Sequence, residues 1–412
     1  MNIPLALEGL SEAEIDLVCD IFRSGNLTMG KYVANFETEF AAQFGVKHAV
    51  MVNSGSSANL LALEAFVNSL TTVKYMDRAK YSIAVPAVLW PTSIWPIIQL
   101  GFKALVIDTL PNSLEIDFEQ LVSAKRKMGD LLLGAVLIHP LGKSLDLARI
   151  QTLRDEFGMF ILEDNCESMG SGNNQHFAGA VGDFGSFSFY YSHHMTTVEG
   201  GMVVTNDDHH ADNLRSMRAH GWTRNRKDKD AIQSQFPELS KDFLFVTSGY
   251  NVRPMEFQGA LGSSQLKQLK SFIEQRIENA QKVHEATKNT SFTLIGATAD
   301  TLKLAQPSQG KMAPWNHSWM ALPINCSLGK ESSLLAQSIL VSKGIATRPL
   351  LAGDFSAQPA GQHPMIDKYG NLDNSKELYA SSFMVGNHHN YSDAQMLYLS
   401  KILNEVSTSI SG

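Results

Sequence analysis

Short apolar runs alternate with segments of helical period through the first two thirds of the chain. "HAVMV" leads towards the helix-spaced Leu60, Leu63, Phe66, Val67 and Leu70. Ile83–Ala87 precedes a helical Pro91–Leu100, and Ala104–Ile107 follows it. Leu131–His139 and Met159–Leu162 are two further runs with a helical pattern between them. This alternation predicts an α/β chain with a mostly parallel sheet covered by helices on both faces.

The pattern changes near Pro254. "MEFQGALGSSQLKQLKSFIEQRIENAQKVHEAT", Met255–Thr287, predicts one long amphipathic helix. Shorter mixed segments follow, among them Trp319–Leu322 and Ser332–Lys343. A chain of 412 residues is too long for one small core. The expected division is a large α/β domain over 1–262 and a smaller α+β domain over 263–412. The charged stretch Arg224–Asp242 reads as a long surface loop.

Lys plus Arg number 34 against 41 Asp plus Glu, a formal net charge of -7. That argues against a nucleic-acid binder, which shows a basic stripe. It leaves room for an anionic small substrate in a locally basic pocket. Met1–Leu10 lacks the pattern of a signal peptide, and Leu131–Ile138 is too short to cross a bilayer. Cys19, Cys166 and Cys326 are scattered and suggest neither a disulfide framework nor a metal site. A reducing cytoplasm is the expected location.

Four stretches carry candidate chemistry. "NSGSSANL", Asn53–Leu60, places a glycine and small hydroxyls between a strand and a helix. Free N–H groups at such a helix start bind phosphate; capping by Ser56 or Ser57 is the plain alternative. "FILEDNCES" ends a strand in Glu163-Asp164, where α/β proteins place ligands. Asp164 there could pair with a protonated ring nitrogen or cap the next helix. "AVPAVLWPTSIWP" offers Trp90 and Trp95 for stacking or for the core.

The fourth is "FGSFSFYYSHHMTTVEGGMVVTND", Phe184–Asp207, in which His193 and His194 lie between two strand-like runs. Neither histidine has a metal-type partner at i+4, so a general base is the better reading than zinc. No lysine occurs from Ser144 to Arg226.

Taken together and in order, these segments resemble the DegT/DnrJ/EryC1/StrS sugar aminotransferase family, from "GNLTMGKYVANFETEF" to "FMVGNHH". The resemblance implies a pyridoxal phosphate (PLP) enzyme of fold type I, the aspartate aminotransferase-like fold. Family aminotransferases carry a lysine in a motif like F-S-F-x-x-x-K, then T-x-x-E-G-G; the lysine forms a Schiff base with the cofactor. Here His193 holds that position, and imidazole cannot form the bond. Histidine there matches a branch of 3-dehydratases acting on nucleotide-linked 4-keto-6-deoxyhexoses.

The resemblance assigns further roles position by position. Asp164 pairs with the pyridine nitrogen, and Glu167, glutamine in most aminotransferases, lies near the ring hydroxyl. Trp90 stacks on the ring. Gly55, Ser56 and Ser188 cradle the phosphate. Asn251, in "SGYNVRPMEFQGALG", reaches the phosphate of a neighbouring subunit, which implies a homodimer with shared sites. His220 and Arg348 are candidate substrate contacts, and Asp354 departs from the asparagine of the branch.

One subgroup of the branch holds a [2Fe–2S] cluster on cysteines, and His194–Tyr250 has none. The other subgroup acts on GDP-linked 4-keto-6-deoxymannose and needs no reductase. The expected chemistry uses pyridoxamine phosphate (PMP), with glutamate as amino donor and His193 as base, in the synthesis of a surface polysaccharide such as an O-antigen. An aminotransferase with another base, or a non-catalytic scaffold, are the rival expectations.

Overall fold

The computed structural model describes residues 1–7, 9–70, 73–173, 175–304 and 312–411. The apolar runs of the first part become seven strands: β1 His48–Val52, β2 Ser82–Pro86, β3 Lys103–Ile107, β4 Leu132–Ile138, β5 Phe160–Asp164, β6 Phe184–Ser188 and β7 Gly201–Thr205. Nearly all their residues are buried, as a sheet covered on both faces requires. Seven helices accompany them: α1 Glu12–Ser24, α2 Lys31–Phe44, α3 Gly55–Ser69, α4 Pro91–Gln99, α5 Phe118–Met128, α6 Leu147–Asp155 and α7 Asp208–Met217. Ser11 and Glu14 form a capping box on α1, and Asp117 and Asp146 cap α5 and α6.

The later part holds α8 Lys229–Gln233, α9 Glu256–Leu266, α10 Leu269–Thr287, β8 Phe292–Leu294, β9 Ala321–Cys326, α11 Lys330–Ser342, β10 Thr347–Arg348, β11 Ile366–Lys368, α12 Asp373–Ser381, β12 Ser382–Gly386 and α13 Asp393–Ser409. Two sheets result. The larger has eight strands in the order β1-β7-β6-β5-β4-β2-β3-β11; the smaller has four, β10-β12-β9-β8. In the larger, only β7 runs against its neighbours β1 and β6. The small sheet is antiparallel throughout. The architecture is the α/β one expected.

Three local expectations change. The helix predicted over Met255–Thr287 is broken at Lys267-Gln268 into α9 and α10, because α9 packs on α1 and α2 while α10 packs on α13 and β8. The loop expected over Arg224–Asp242 contains the short helix α8. Ile366–Lys368, from the later part, joins the edge of the larger sheet in parallel with β3. At the other end, Ile3 bridges to Ile345, beside the smaller sheet. No helix among the described residues is long and apolar enough to cross a membrane.

The strand order places the site. β4, β5 and β6 are parallel, with Ile138 beside Asp164 and Asp164 beside Ser186. Their C-terminal ends therefore open on one edge, where parallel α/β sheets bind ligands. Val52, at the end of β1, and Ser188, at the end of β6, both pair with Gly201. The chain thus enters α3 next to Ser188.

Candidate active site

A cleft of about 450 Å³ lies at this edge, between the two sheets. Its walls include Gly55, Ser56, Trp90, Asp164, Glu167, Ser188, His193 and Arg348. Eight of the residues singled out from the sequence thus meet in one place.

The cradle is built from α3 and the E-G-G turn. Ser54 caps α3 through Ser57 N at 3.1 Å, which leaves the first-turn N–H groups of Gly55 and Ser56 at the cleft. A Cβ at Gly55 would stand 2.6 Å from Ser188 Cβ and 2.9 Å from Cys166 Sγ. A Cβ at Gly201 would stand 2.3 Å from the Ser54 carbonyl oxygen. Glycine at both positions lets the start of α3, the end of β6 and the E-G-G turn approach one another closely.

Asp164 is buried and held from two sides. Asn59 Nδ2 and Ser93 Oγ each donate to its Oδ2 at 2.7 Å, and Cys166 N donates to Oδ1 at 3.2 Å. Ser186 Oγ stands 2.6 Å from Asn59 Oδ1 and 3.5 Å from Asp164 Oδ1. The shorter contact takes its proton and turns the Asn59 amide nitrogen towards Asp164. Glu167 accepts from Leu141 N at 3.1 Å. Burial, with the nearby Asp164 charge, pushes its carboxyl up to about 7.

His193 sits on the loop between β6 and β7. Phe189 N bonds Gly200 O at 2.9 Å, Thr197 N bonds Phe189 O at 3.0 Å, and His193 N bonds Tyr190 O at 3.0 Å. Thr197 Oγ1 donates to Glu199 O at 2.7 Å, and Val198 takes φ 71, a strained value for a β-branched residue. The loop is therefore fixed at both ends and turned sharply before Glu199. Burial lowers the His193 imidazole to about 4, with the Arg276 charge adding to the effect and Asp164 opposing it. Its Nδ1 is buried without a hydrogen-bond partner. The ring is thus neutral near pH 7.

His194 points elsewhere. It is fully buried, lies outside the cleft walls, and donates through Nε2 to Ser318 O at 3.0 Å. His220 and Asn251 are exposed and lie outside the cleft of their own chain. Arg253 Nη1 donates to His220 Nε2 at 2.8 Å, and Asn251 bridges to Ala219. Asp354 is also outside the cleft walls; its Oδ1 accepts from Ser356 N at 3.0 Å. Trp95 packs edge-on against Phe355 instead of reaching the cleft.

Reading the sequence missed several wall residues. Asn59 follows Gly55 by one helical turn, a spacing that puts both on one face of α3. Ser93 hides in the "WPTSIWP" stretch. Tyr190 and Tyr191, 41% and 48% exposed, stand edge-to-face with ring centroids 5.0 Å apart at the cleft. Glu199 also lines it, and burial raises its carboxyl. Among the described residues no group of three or more His, Cys, Asp or Glu is arranged to hold a metal ion.

Relatives and solved structures agree with this architecture. GDP-4-keto-6-deoxy-D-mannose 3-dehydratase of Escherichia coli O55:H7 is 34% identical over 415 residues, covering 98% of this chain and 100% of that protein. The protein of that name from Yersinia pseudotuberculosis is 37% identical over 361 residues, covering 86% of each. A crystal structure of GDP-4-keto-6-deoxymannose-3-dehydratase with a trapped PLP-glutamate geminal diamine matches with a TM-score of 0.82 at 32% identity, covering 98% of this chain and 100% of that one. The fold is that of the PLP-dependent aminotransferases. The model of the DegT/DnrJ/EryC1/StrS aminotransferase family matches residues 9–404, and the chain belongs to that family.

Proposed function

We propose that this chain is a 3-dehydratase of a nucleotide-linked 4-keto-6-deoxyhexose, GDP-4-keto-6-deoxymannose first among the candidates, that uses PLP and PMP with glutamate as amino donor. One observation carries the reading. The cleft wall presents a neutral imidazole, His193, and among the described residues no lysine lines it. A Schiff-base lysine is what a family aminotransferase needs at this place. The names of the relatives at 34% and 37% identity favour the GDP-linked substrate.

The residues present fit the cofactor. The glycine-lined cradle at Gly55, Ser56 and Ser188 would hold its phosphate, a task helix N-termini perform through free N–H groups. Asp164, with donors already fixing one oxygen, would accept the hydrogen bond of the protonated ring nitrogen. Trp90, 56% exposed and unburdened by core packing, would cover a ring face. Glu167, near its titration point at neutral pH, can donate or accept beside the ring hydroxyl.

When bound, PMP supplies an amine for the C4 ketone of the sugar and a ring that accepts an electron pair. With the cofactor bound, His193 would take a proton at its C4′ carbon and give one to the departing C3 hydroxyl. Its neutral ring with an unpartnered nitrogen suits both transfers. Asp164 would keep the ring nitrogen of the bound cofactor protonated, which lets the ring accept the electron pair. Arg348, exposed at the cleft wall, would meet a carboxylate or phosphate of the reactants. Hydrolysis then gives ammonia and a 3,6-dideoxy-4-keto sugar.

The test incubates the protein with PLP, glutamate and a panel of nucleotide 4-keto-6-deoxy sugars, reading product mass and ammonia. A product one oxygen lighter, with ammonia released, is expected. An amino sugar formed without ammonia would identify an aminotransferase instead, and borohydride would then fix the cofactor to a lysine. No turnover of any sugar would leave a non-catalytic scaffold.

A further inference from the structure

Arg276 is fully buried on α10, yet its hydrogen bonds go to main-chain carbonyls and not to a carboxylate. Nη2 donates to His193 O at 3.1 Å; Nη1 donates to Met320 O at 2.9 Å and to Asn387 O. Asn387 closes the arrangement: its Nδ2 donates to Arg276 O at 3.1 Å and to Trp319 O at 2.8 Å. Burying a guanidinium with no counter-ion among the described residues is costly, and an apolar side chain would fill the space more cheaply. The three carbonyls have one thing in common. Each belongs to a segment that forms the cleft: the His193 loop, the entry to β9 at Met320, and the residue after Gly386 of β12.

We propose that Arg276 is the positioning residue of the base: its planar fork ties the His193 loop to the small sheet and sets a buried positive charge behind the segment that carries the imidazole. The proposal rests on the reading of His193 as base. A fork with several fixed donors can hold three carbonyls in one plane, which a lysine ammonium cannot. Burial disfavours a second positive charge on His193, and the Arg276 charge adds to that. Asp164 from β5 is the charge that works the other way, and Tyr190, with its ring centroid 5.9 Å from that of His193, is the nearest aromatic. His194 adjoins on the same loop, and Glu167 and Glu199 line the same cleft. The buried imidazoles of His194, His388 and His389 are also lowered in part by Arg276.

The test compares wild type, Arg276→Met, Arg276→Lys and His193→Asn, with and without PLP. Acylation of His193 by diethyl pyrocarbonate, mapped by mass spectrometry, follows the neutral ring against pH without any need for turnover. In wild type the labelling rate should stay level down to about pH 5; in Arg276→Met it should fall with a midpoint at least about one unit higher than in wild type. The kcat of Arg276→Met should drop by about 100-fold, with KM for the nucleotide sugar within about threefold. Arg276→Lys should restore the labelling profile, which needs charge, but not kcat, which needs the fork.

An unshifted labelling profile with unchanged kcat in Arg276→Met overturns the proposal. So does a lowered Tm with no shift in labelling and no change specific to kcat. If Arg276→Met does not fold, Arg276→Lys decides alone: lowered kcat with wild-type labelling supports the fork, and wild-type kcat sinks it. His193→Asn separates the two readings. If that variant still dehydrates the sugar, the base is elsewhere; if it is inactive while the Arg276 variants behave as wild type, only the Arg276 proposal falls.

Discussion

Asn59 and Asp164, 105 residues apart, share a 2.7 Å hydrogen bond at the floor of the cleft, and Ser186 decides its sense by donating to the other end of the Asn59 amide. The carboxylate is thereby fixed before any ligand arrives. A charge-assisted bond of this kind is worth about 1.5–3 kcal/mol. Asn59→Leu should therefore weaken PLP binding by roughly tenfold or more, read by spectral titration. Ser93→Ala, which removes the second donor at the same oxygen, should act in the same direction. An unchanged affinity in both variants would show that Asp164 needs no fixing, or does not meet the cofactor.

The cradle makes a second expectation. In Gly55→Ala the new methyl would meet Ser188 Cβ at 2.6 Å and Cys166 Sγ at 2.9 Å, so β6 or the start of α3 must shift. Ser188→Ala removes one hydroxyl and leaves the geometry intact. Gly55→Ala should thus lose more PLP affinity than Ser188→Ala, for which about 1 kcal/mol, or roughly fivefold, is expected. Equal losses would place the phosphate away from α3.

These contacts show what the sequence could and could not tell. The strand ending in Asp164 was legible because parallel strands are apolar nearly throughout and their C-terminal ends bind ligands, and the strand ending in Ser188 from its phenylalanines. His193 was legible from its place in a motif, and Gly55 and Ser56 from a strand–glycine–helix junction. The bonds of Asn59 and Ser93 to Asp164 were not, since they join residues 105 and 71 apart and nothing local marks them. Arg276 looked like one more charge on an amphipathic helix; only the packing of α10 against α13 shows that its face is buried. The break between α9 and α10 is likewise set by two different packing partners, not by a glycine or proline at the break.

Acid should destabilise the protein early. Burial lowers His193 to about 4, His388 to about 3 and His389 to about 2, and places His194 and His317 well below the ordinary value of 6.5. A histidine with a depressed folded pKa binds its proton more readily when unfolded. Its contribution is full above pH 6.5 and is lost as pH falls towards the folded value, at about 1.4 kcal/mol per pH unit for each group. Glu167 works in reverse: raised to about 7, it favours the folded state below 4.5 and loses that contribution as pH rises through 7. Glu199, also raised, acts with Glu167, and His210, also lowered, acts with the other histidines; two carboxyls thus oppose six imidazoles, and the net slope is that of the histidines. Calorimetry should show Tm falling steeply below pH 6.5, and His194→Gln should flatten the slope by about one proton. A Tm level from pH 7 to about pH 5 would mean that these histidines are not held neutral.

Asn251 tests whether two chains complete one site. It is exposed, lies outside the cleft of its own chain, and sits near His220, whose Nε2 already accepts from Arg253. Family resemblance assigns it to the phosphate of a neighbouring subunit. Asn251→Ala should then weaken PLP binding, and His193→Asn should be inactive alone. In a heterodimer of the two, one site has a native His193 and receives a native Asn251 from the other chain. The second site has neither. With free exchange, half the dimers are mixed and half their sites are intact, so activity should return to roughly a quarter of wild type. Were Asn251 to act within its own chain, every mixed site would carry one defect and nothing would be regained. Exchange is verified by native mass spectrometry of differently tagged chains. Mixed dimers without recovered activity would show that each cleft is complete in a single chain.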